Sequence, residues 1–208
     1  MINMNLINFI DPISDLAILA GEAILEVYNS DFEIEEKSDL SPLTEADLRS
    51  HKVIIRGLKS IDPKIPIISE EDNLQNFDKR KNWKRYWLID PLDGTKEFIN
   101  KNGEFTVNIA LIDNNKPVLG VVHVPVSAET YIACQGFGSK KIDSQGMIKT
   151  ISVRKKVNNP IKVIGSRSHR GNSLVKFLDN LGDYQFYSVG SSLKFCMIAE
   201  GKADIYPR

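Results

Sequence analysis

The sequence predicts an α/β protein of the α+β layered kind. Three observations carry that expectation. A long opening stretch, Leu6 to Tyr28, repeats apolar residues at helical spacing. The middle of the chain is a series of short apolar runs divided by turn residues. After Ile151, strand-like and helix-like segments alternate in βαβα order, the pattern of strands covered by helices. Two parts are therefore expected: residues 1–150 as an N-terminal α+β half and residues 151–208 as the start of a smaller α/β half.

In the first helix, Ile13, Leu16, Ala17, Ala20, Ile24 and Tyr28 make one stripe to bury. Gly21 weakens the helix locally and is compatible with close packing. Phe32 and Ile34 alternate with acids, as in a short strand, and Lys37 to Leu43 is a polar loop with Pro42. Thr44-Glu-Ala-Asp47 has the form of a capping box opening a second helix, with Leu48, Ile55 and Leu58 facing inward. Ile65 to Ile68 and Tyr86 to Ile89 are apolar runs long enough for buried strands. The second should stop at Asp90-Pro91, because proline cannot continue a central ladder. Between the two runs, Asp72 to Lys84 reads as a polar connection, with Trp83 and Trp87 as packing anchors.

Lys96 to Ile99 reads as a short helix. Phe105 to Ile112 and Val118 to Val124, joined by the turn Asp113-Asn-Asn-Lys116, predict a hairpin that ends at Pro125. Thr130 to Ala133 is a further strand, and Gly136-Phe-Gly138 and Asp143-Ser-Gln-Gly146 are turns. In the last part, Ile161 to Ile164 and Tyr184 to Val189 are strands and Leu174 to Leu181 is a helix. Ser191 or Ser192 caps a helix running to Glu200, Gly201 closes it, and Ala203 to Tyr206 begins another strand.

With 208 residues, 42% of them hydrophobic and 26% charged, the chain has the composition of an ordinary globular protein with a sizeable core. Lys plus Arg and Asp plus Glu both number 27, so no net field favours nucleic acid or acidic lipid as a partner. Cys134 and Cys196 lack metal-ligand spacing and lie in apolar surroundings, which fits two reduced, buried thiols. The N-terminus has no basic region or cleavage site of a signal peptide, and no apolar run is long enough for an integral membrane segment. A cytoplasmic location is expected, with peripheral attachment at the inner membrane face left open.

Two strands end in acids. Ile65 to Ile68 leads into Ser69-Glu70-Glu71-Asp72, and Trp87-Leu-Ile leads into Asp90-Pro91-Leu92-Asp93-Gly94-Thr95. Carboxylates at strand ends, facing a helix start with free backbone N–H groups, can hold a cation and a phosphate together. Hard oxygen ligands suit Mg²⁺. The bland alternatives are solvated turn acids for Asp90 and Asp93, and a simple helix cap for Asp47. His51 and His123 have no visible acid–base partner and read as structural.

Ser-Glu-Glu (69–71) followed by Asp-Pro-Leu-Asp-Gly-Thr (90–95) resembles the lithium-sensitive, Mg²⁺-dependent phosphatases of the inositol monophosphatase superfamily. Four stretches, 37–47, 103–111, 166–169 and 190–196, bring the chain closer to its 3′(2′),5′-bisphosphate nucleotidase branch. The resemblance implies an αβαβα sandwich and hydrolysis of a phosphomonoester by direct attack of a metal-activated water. It implies two or more Mg²⁺ ions held by Glu70, Asp90, Asp93 and the backbone carbonyl of Leu92. Asp47 would hydrogen-bond Thr95 and help polarise the water that Glu70 orients. Glu70, Leu92, Asp93, Gly94 and Thr95 would also contact the substrate phosphate. A bisphosphate nucleotide carries a second phosphate, and Gly190, Ser191, Lys194, Arg167, His169 and Arg170 are candidates to receive it. The implied substrate is 3′-phosphoadenosine 5′-phosphate, with 3′-phosphoadenylyl sulfate as a relative. The alternatives are an inositol- or sugar-phosphate phosphatase with the same site and a non-catalytic binding protein.

The resemblance also implies one more metal-binding aspartate, in a Trp-Asp motif beyond the segment 203–208. The sequence ends at Arg208, so a C-terminally incomplete sandwich is the expectation, with Asp204 in a non-ligand position.

Overall fold

The computed structural model describes residues 4–30, 34–36, 42–72, 77–167 and 172–207. In chain order these form α1 (Met4–Tyr28), β1 (Ile34–Glu36), β2 (Pro42–Thr44), α2 (Glu45–Ile61), β3 (Ile67–Ser69), α3 (Phe77–Arg80), β4 (Arg85–Asp93), α4 (Thr95–Ile99), β5 (Thr106–Asp113), β6 (Lys116–Val124), β7 (Glu129–Cys134), β8 (Gly138–Ile142), β9 (Ile148–Ile151), β10 (Ile161–Ser166), α5 (Asn172–Asp179), β11 (Tyr184–Val189) and α6 (Leu193–Ala199). The result is the layered α/β architecture expected from the sequence.

A seven-stranded sheet, ordered β3-β4-β5-β6-β7-β8-β9, forms the body. Its pairs are antiparallel except β3–β4, which is parallel. Strands β1 and β2 pair antiparallel, and β10 and β11 form a separate parallel pair. Helices α1 and α2 pack against each other. Helix α1 lies across β5, β6 and β7, and α2 lies on β4. The inward stripe of α1 (Ile13, Leu16, Ala17, Ala20, Ile24) meets Trp87, Ile89, Val107, Ile109 and Leu111 in the main core. Trp87 is fully buried, with the ring of Phe9 edge-on at 5.7 Å. Gly21 is where the helix touches the sheet most closely: a Cβ there would lie 2.6 Å from Cδ2 of His123. On the opposite face, α6 touches β6 and β10.

Several expectations need correction. Strand β4 does not stop at Asp90-Pro91. Its ladder with β5 pairs Asp90 with Asn108 and Asp93 with Thr106, so three steps on β4 oppose two on β5. Pro91 and Leu92 occupy this bulge, where no ladder N–H is needed. Leu48 is exposed, and the inward face of α2 is Ala46, Asp47, Ser50, Ile54 and Leu58. The 72–84 connection contains the short helix α3. The turns at Gly136–Gly138 and Asp143–Gly146 flank two strands, β8 and β9, that the pattern did not predict. Residues 203–206 contribute a parallel bridge from Ile205 to Val163. Phe32 and most of the loop 37–43 lie outside the described residues.

Candidate active site

Parallel pairing of β3 with β4 brings the ends of both strands to the same edge of the sheet. Ser69 stands opposite Ile89, and the Glu70 N–H donates to the Ile89 carbonyl at 3.2 Å. Glu70 therefore begins its turn beside Asp90. The bulge then carries the chain through Leu92, 3% exposed, to Asp93. Gly94 takes a left-handed conformation (φ 97°) and caps α4. A Cβ there would sit 3.1 Å from the Glu104 carbonyl and 3.2 Å from the Ser191 side chain. Glycine thus keeps both the turn and the close approach open. Phe98 of α4 and Phe105 stack with Tyr28 at the end of α1, with ring centroids 5.0–5.3 Å apart. This aromatic trio fixes where Thr95 stands.

Asp47 serves two neighbours with its two oxygens. Oδ2 accepts the Thr44 N–H at 2.8 Å and the Thr44 hydroxyl at 2.6 Å, completing the capping box. Oδ1 faces the Thr95 hydroxyl at 3.4 Å. The cap and the contact to Thr95 are therefore both present, on one fully buried carboxylate.

The acids are held in mutual repulsion. Burial, then the neighbouring charges of Asp93 and Glu70, push the Asp90 carboxyl up to about 9. Its Oδ1 is buried without a hydrogen-bond partner. Asp93 is also pushed up, mainly by burial, although the Ser192 backbone N–H and Lys194 counteract this. Among the described residues no three His, Cys, Asp or Glu side chains are gathered so as to hold a metal ion by themselves. An orphaned buried carboxylate oxygen within an acidic group nonetheless fits a hard cation. Such a cation keeps waters and substrate oxygens and needs only one or two protein carboxylates.

The turn 190–192, ahead of α6, faces this edge from the other sheet. The Gly190 N–H donates to Glu104 at 2.8 Å, and Glu104 also pairs with Arg167 at 2.8 Å. The Ser192 hydroxyl lies 2.7 Å from Asn108 Oδ1 and 2.9 Å from the Thr106 hydroxyl. Lys194 is buried, and its Nζ donates to the Ser191 carbonyl at 2.5 Å. Ser191 has a left-handed backbone (φ 47°), and its hydroxyl, not that of Ser192, accepts the Leu193 N–H.

The structure thus brings Asp47, Glu70, Asp90, Leu92, Asp93, Gly94, Thr95, Gly190, Ser191 and Lys194 to one edge. Arg167 is exposed and engaged by Glu104, while His169 and Arg170 lie outside the described residues. Asp204 stands apart, accepting bonds from Asn158 and the Lys162 N–H. Sequence reasoning did not single out Glu104, Asn108 or Ser50. Thr106 and Asn108 alternate along one face of β5, with Glu104 two residues before it, and that period was the available signal. Cys134 and Cys196 are free and buried, as expected.

A family model described as the inositol monophosphatase family matches residues 6–208. The chain belongs to the inositol monophosphatase family. Over 201 residues it is 49% identical to the 3′(2′),5′-bisphosphate nucleotidase CysQ of Escherichia coli K12, covering 96% of this chain and 80% of that protein. A crystal structure of CysQ from Bacteroides thetaiotaomicron superposes with a TM-score of 0.80 at 37% identity, covering 95% of this chain and 79% of that one. An inositol monophosphatase/NADP phosphatase solved with Mg²⁺ and phosphate shares the fold (TM-score 0.74, 18% identity, 90% and 69% coverage). Family membership makes the chain a divalent-metal-dependent phosphatase. Among the described residues no helix is long and apolar enough to cross a membrane.

Proposed function

We infer that the chain is a Mg²⁺-dependent 3′(2′),5′-bisphosphate nucleotidase, hydrolysing 3′-phosphoadenosine 5′-phosphate to AMP and phosphate. The 3′-phosphate of 3′-phosphoadenylyl sulfate is a second substrate of the same chemistry. The observation that carries the reading is the meeting of Glu70, Asp90, Asp93 and the Asp47–Thr95 pair at one sheet edge, together with 49% identity to a nucleotidase along nearly the whole chain.

Glu70, Asp90, Asp93 and the Leu92 carbonyl are the groups that would hold Mg²⁺. Bound there, Mg²⁺ would neutralise charge on the transferring phosphoryl group and acidify water. The chain's own residues do the rest. Asp47 Oδ1 accepts the hydrogen bond of the Thr95 hydroxyl, which leaves a lone pair of the Thr95 oxygen to accept a hydrogen bond from the attacking water. Gly94 and Thr95 offer backbone N–H groups to the phosphate. Gly190, Ser191 and the buried Lys194 form the opposite wall, where one cation can meet a second phosphate. Residues 1–150 supply the metal-binding wall and residues 151–208 the nucleotide-binding wall. A small-molecule nucleotide is the partner, and a cytoplasmic location suits it.

The test is phosphate release from 3′-phosphoadenosine 5′-phosphate with and without Mg²⁺, with inositol 1-phosphate in parallel. The reading requires Mg²⁺-dependent release that Asp93→Asn abolishes and that prefers the nucleotide. Preference for inositol 1-phosphate would move the assignment to a sugar-phosphate phosphatase. No release from either would reduce the chain to a binding protein.

A further inference from the structure

Helix α2 is hydrogen-bonded to Ser69 at the end of β3, to the β4 bulge and to Thr95. Asp47, Ser50 and His51 stand at i, i+3 and i+4, on one helix face. Asp47 reaches Thr95, as described above. Ser50, fully buried, donates its hydroxyl to the Pro91 carbonyl at 2.7 Å. Pro91 lies in the β4 bulge, outside the ladder with β5, so this bond crosses from another element to hold the bulge in one shape. His51 Nδ1 lies 2.9 Å from the Ser69 hydroxyl. That oxygen accepts the Glu71 N–H at 3.3 Å, and His51 Nε2 lies 3.5 Å from Asp72. One donor pattern satisfies all three: Glu71 N–H to Ser69 Oγ, Ser69 O–H to His51 Nδ1, and His51 Nε2–H toward Asp72. The turn is thereby held on both sides of Glu70.

We propose that Ser50 and His51 are positioning residues for the divalent-cation site, Ser50 fixing the bulge between Asp90 and Asp93 and His51 fixing the turn that carries Glu70. The two acidic segments belong to different strand ends and repel each other. A helix bonded to both favours one separation before any cation arrives, although β3 can still open locally. This rests on the metal-site reading above and extends it to groups outside the ligand set. Outer partners that orient metal ligands typically matter by roughly 10- to 100-fold in affinity.

The experiment uses Ser50→Cys, which keeps the volume but offers only a weak donor, and His51→Phe, which keeps a ring without nitrogens. Ser50→Thr and His51→Asn are the conservative rescues. Mg²⁺ affinity is taken from how the unfolding midpoint of the full chain rises with Mg²⁺ alone, and the metal-free midpoint reports folding separately. We expect roughly 10-fold or greater weakening in Ser50→Cys and His51→Phe, recovered at least in part by the rescues. A purely structural role would lower the metal-free midpoint and leave Mg²⁺ affinity as in the wild type, and that result overturns the proposal. Asp93→Asn separates the two levels. If it binds Mg²⁺ as the wild type does, the metal-site reading falls and the proposal with it. If it loses Mg²⁺ while both test variants retain it, only the positioning roles fall. Each test variant is an independent reading should the other fail to fold.

Discussion

His123 makes acid stability a quantitative test of the core. It is 5% exposed, on β6 under α1, with Nδ1 bonded to the Thr130 hydroxyl at 2.9 Å and Gly21 against its ring. Burial lowers its pKa from 6.5 to about 4, while a backbone hydrogen bond at Glu129 opposes the shift. The native state therefore keeps the imidazole neutral in a range where the unfolded chain protonates it. Unfolding is then favoured as pH falls below 6.5 and until it passes the folded value. Above 6.5 the contribution is fully present. It is lost progressively down to pH 4 and just below, and a shift of that size amounts to about 3.5 kcal/mol at roughly 1.4 kcal/mol per pH unit. By pH 4.5 about 2.5 kcal/mol of this should already be gone. The assay is urea unfolding at half-unit steps from pH 7.5 to 4.5, for the wild type and for His123→Gln, whose amide can still reach Thr130. Carboxylates contribute equally to both proteins, so the difference between the two curves isolates His123. It should change by about 2.5 kcal/mol across the range, with the wild type losing more. Parallel curves would refute the claim that the buried ring is held neutral.

Further outcomes follow from contacts already described. Thr95→Val removes the hydroxyl facing Asp47 but leaves the capping box, so kcat should fall by roughly 10²–10⁴ with the unfolding midpoint little changed; steady-state kinetics beside thermal unfolding would separate the two. Gly190→Ala places a Cβ 2.4 Å from Glu97 Cγ and 2.8 Å from the Glu104 carbonyl, and overpacking of this kind costs about 1–3 kcal/mol, readable by urea unfolding. Trp87→Ala empties the centre of the main core, and a loss of about 3–5 kcal/mol should leave the protein largely unfolded at 37 °C by circular dichroism.

Periodicity carried the long and strongly patterned elements. The apolar stripe of α1, the β5–β6 hairpin and the parallel β10–β11 pair fell where the alternation placed them. Strands β8 and β9 escaped because their sequences, Gly138-Ser-Lys-Lys-Ile142 and Ile148-Lys-Thr-Ile151, are mostly exposed and carry lysines. Such strands gain order from neighbours on the sheet rather than from a buried face. In α2, Leu58 is buried and Ile55 packs against the core as expected, and Leu48 alone was misplaced, for a related reason. Asp47 and Ser50 take the inward positions because the acidic edge needs them there, which turns Leu48 outward. A hydrophobic count cannot see polar residues buried for their hydrogen bonds. Pro91 was read as a stop because the compensating bulge depends on β5, some fifteen residues further on. The acid motif itself was legible because its residues are contiguous. The partners of Glu104 and His51 were not, since they meet only after the sheet has formed. Lys194 was legible as a candidate cation, but not its burial or the fold-back of its ammonium onto the Ser191 carbonyl.

The strand leading to Glu70 has three residues and a single pairing partner among the described strands, whereas the strand carrying Asp90 and Asp93 is paired on both sides. The acidic edge is thus assembled from a stiff half and a loose half. The free energy to open β3 alone is small compared with that of opening β4. Its amides should exchange with solvent well before those of Leu88 or Ile109, through a local excursion that leaves the sheet intact. A cation bridging the two strand ends would tie the fast-exchanging segment to the slow one and make them open as a unit. Ion binding would then be recorded as lost mobility in a three-residue edge.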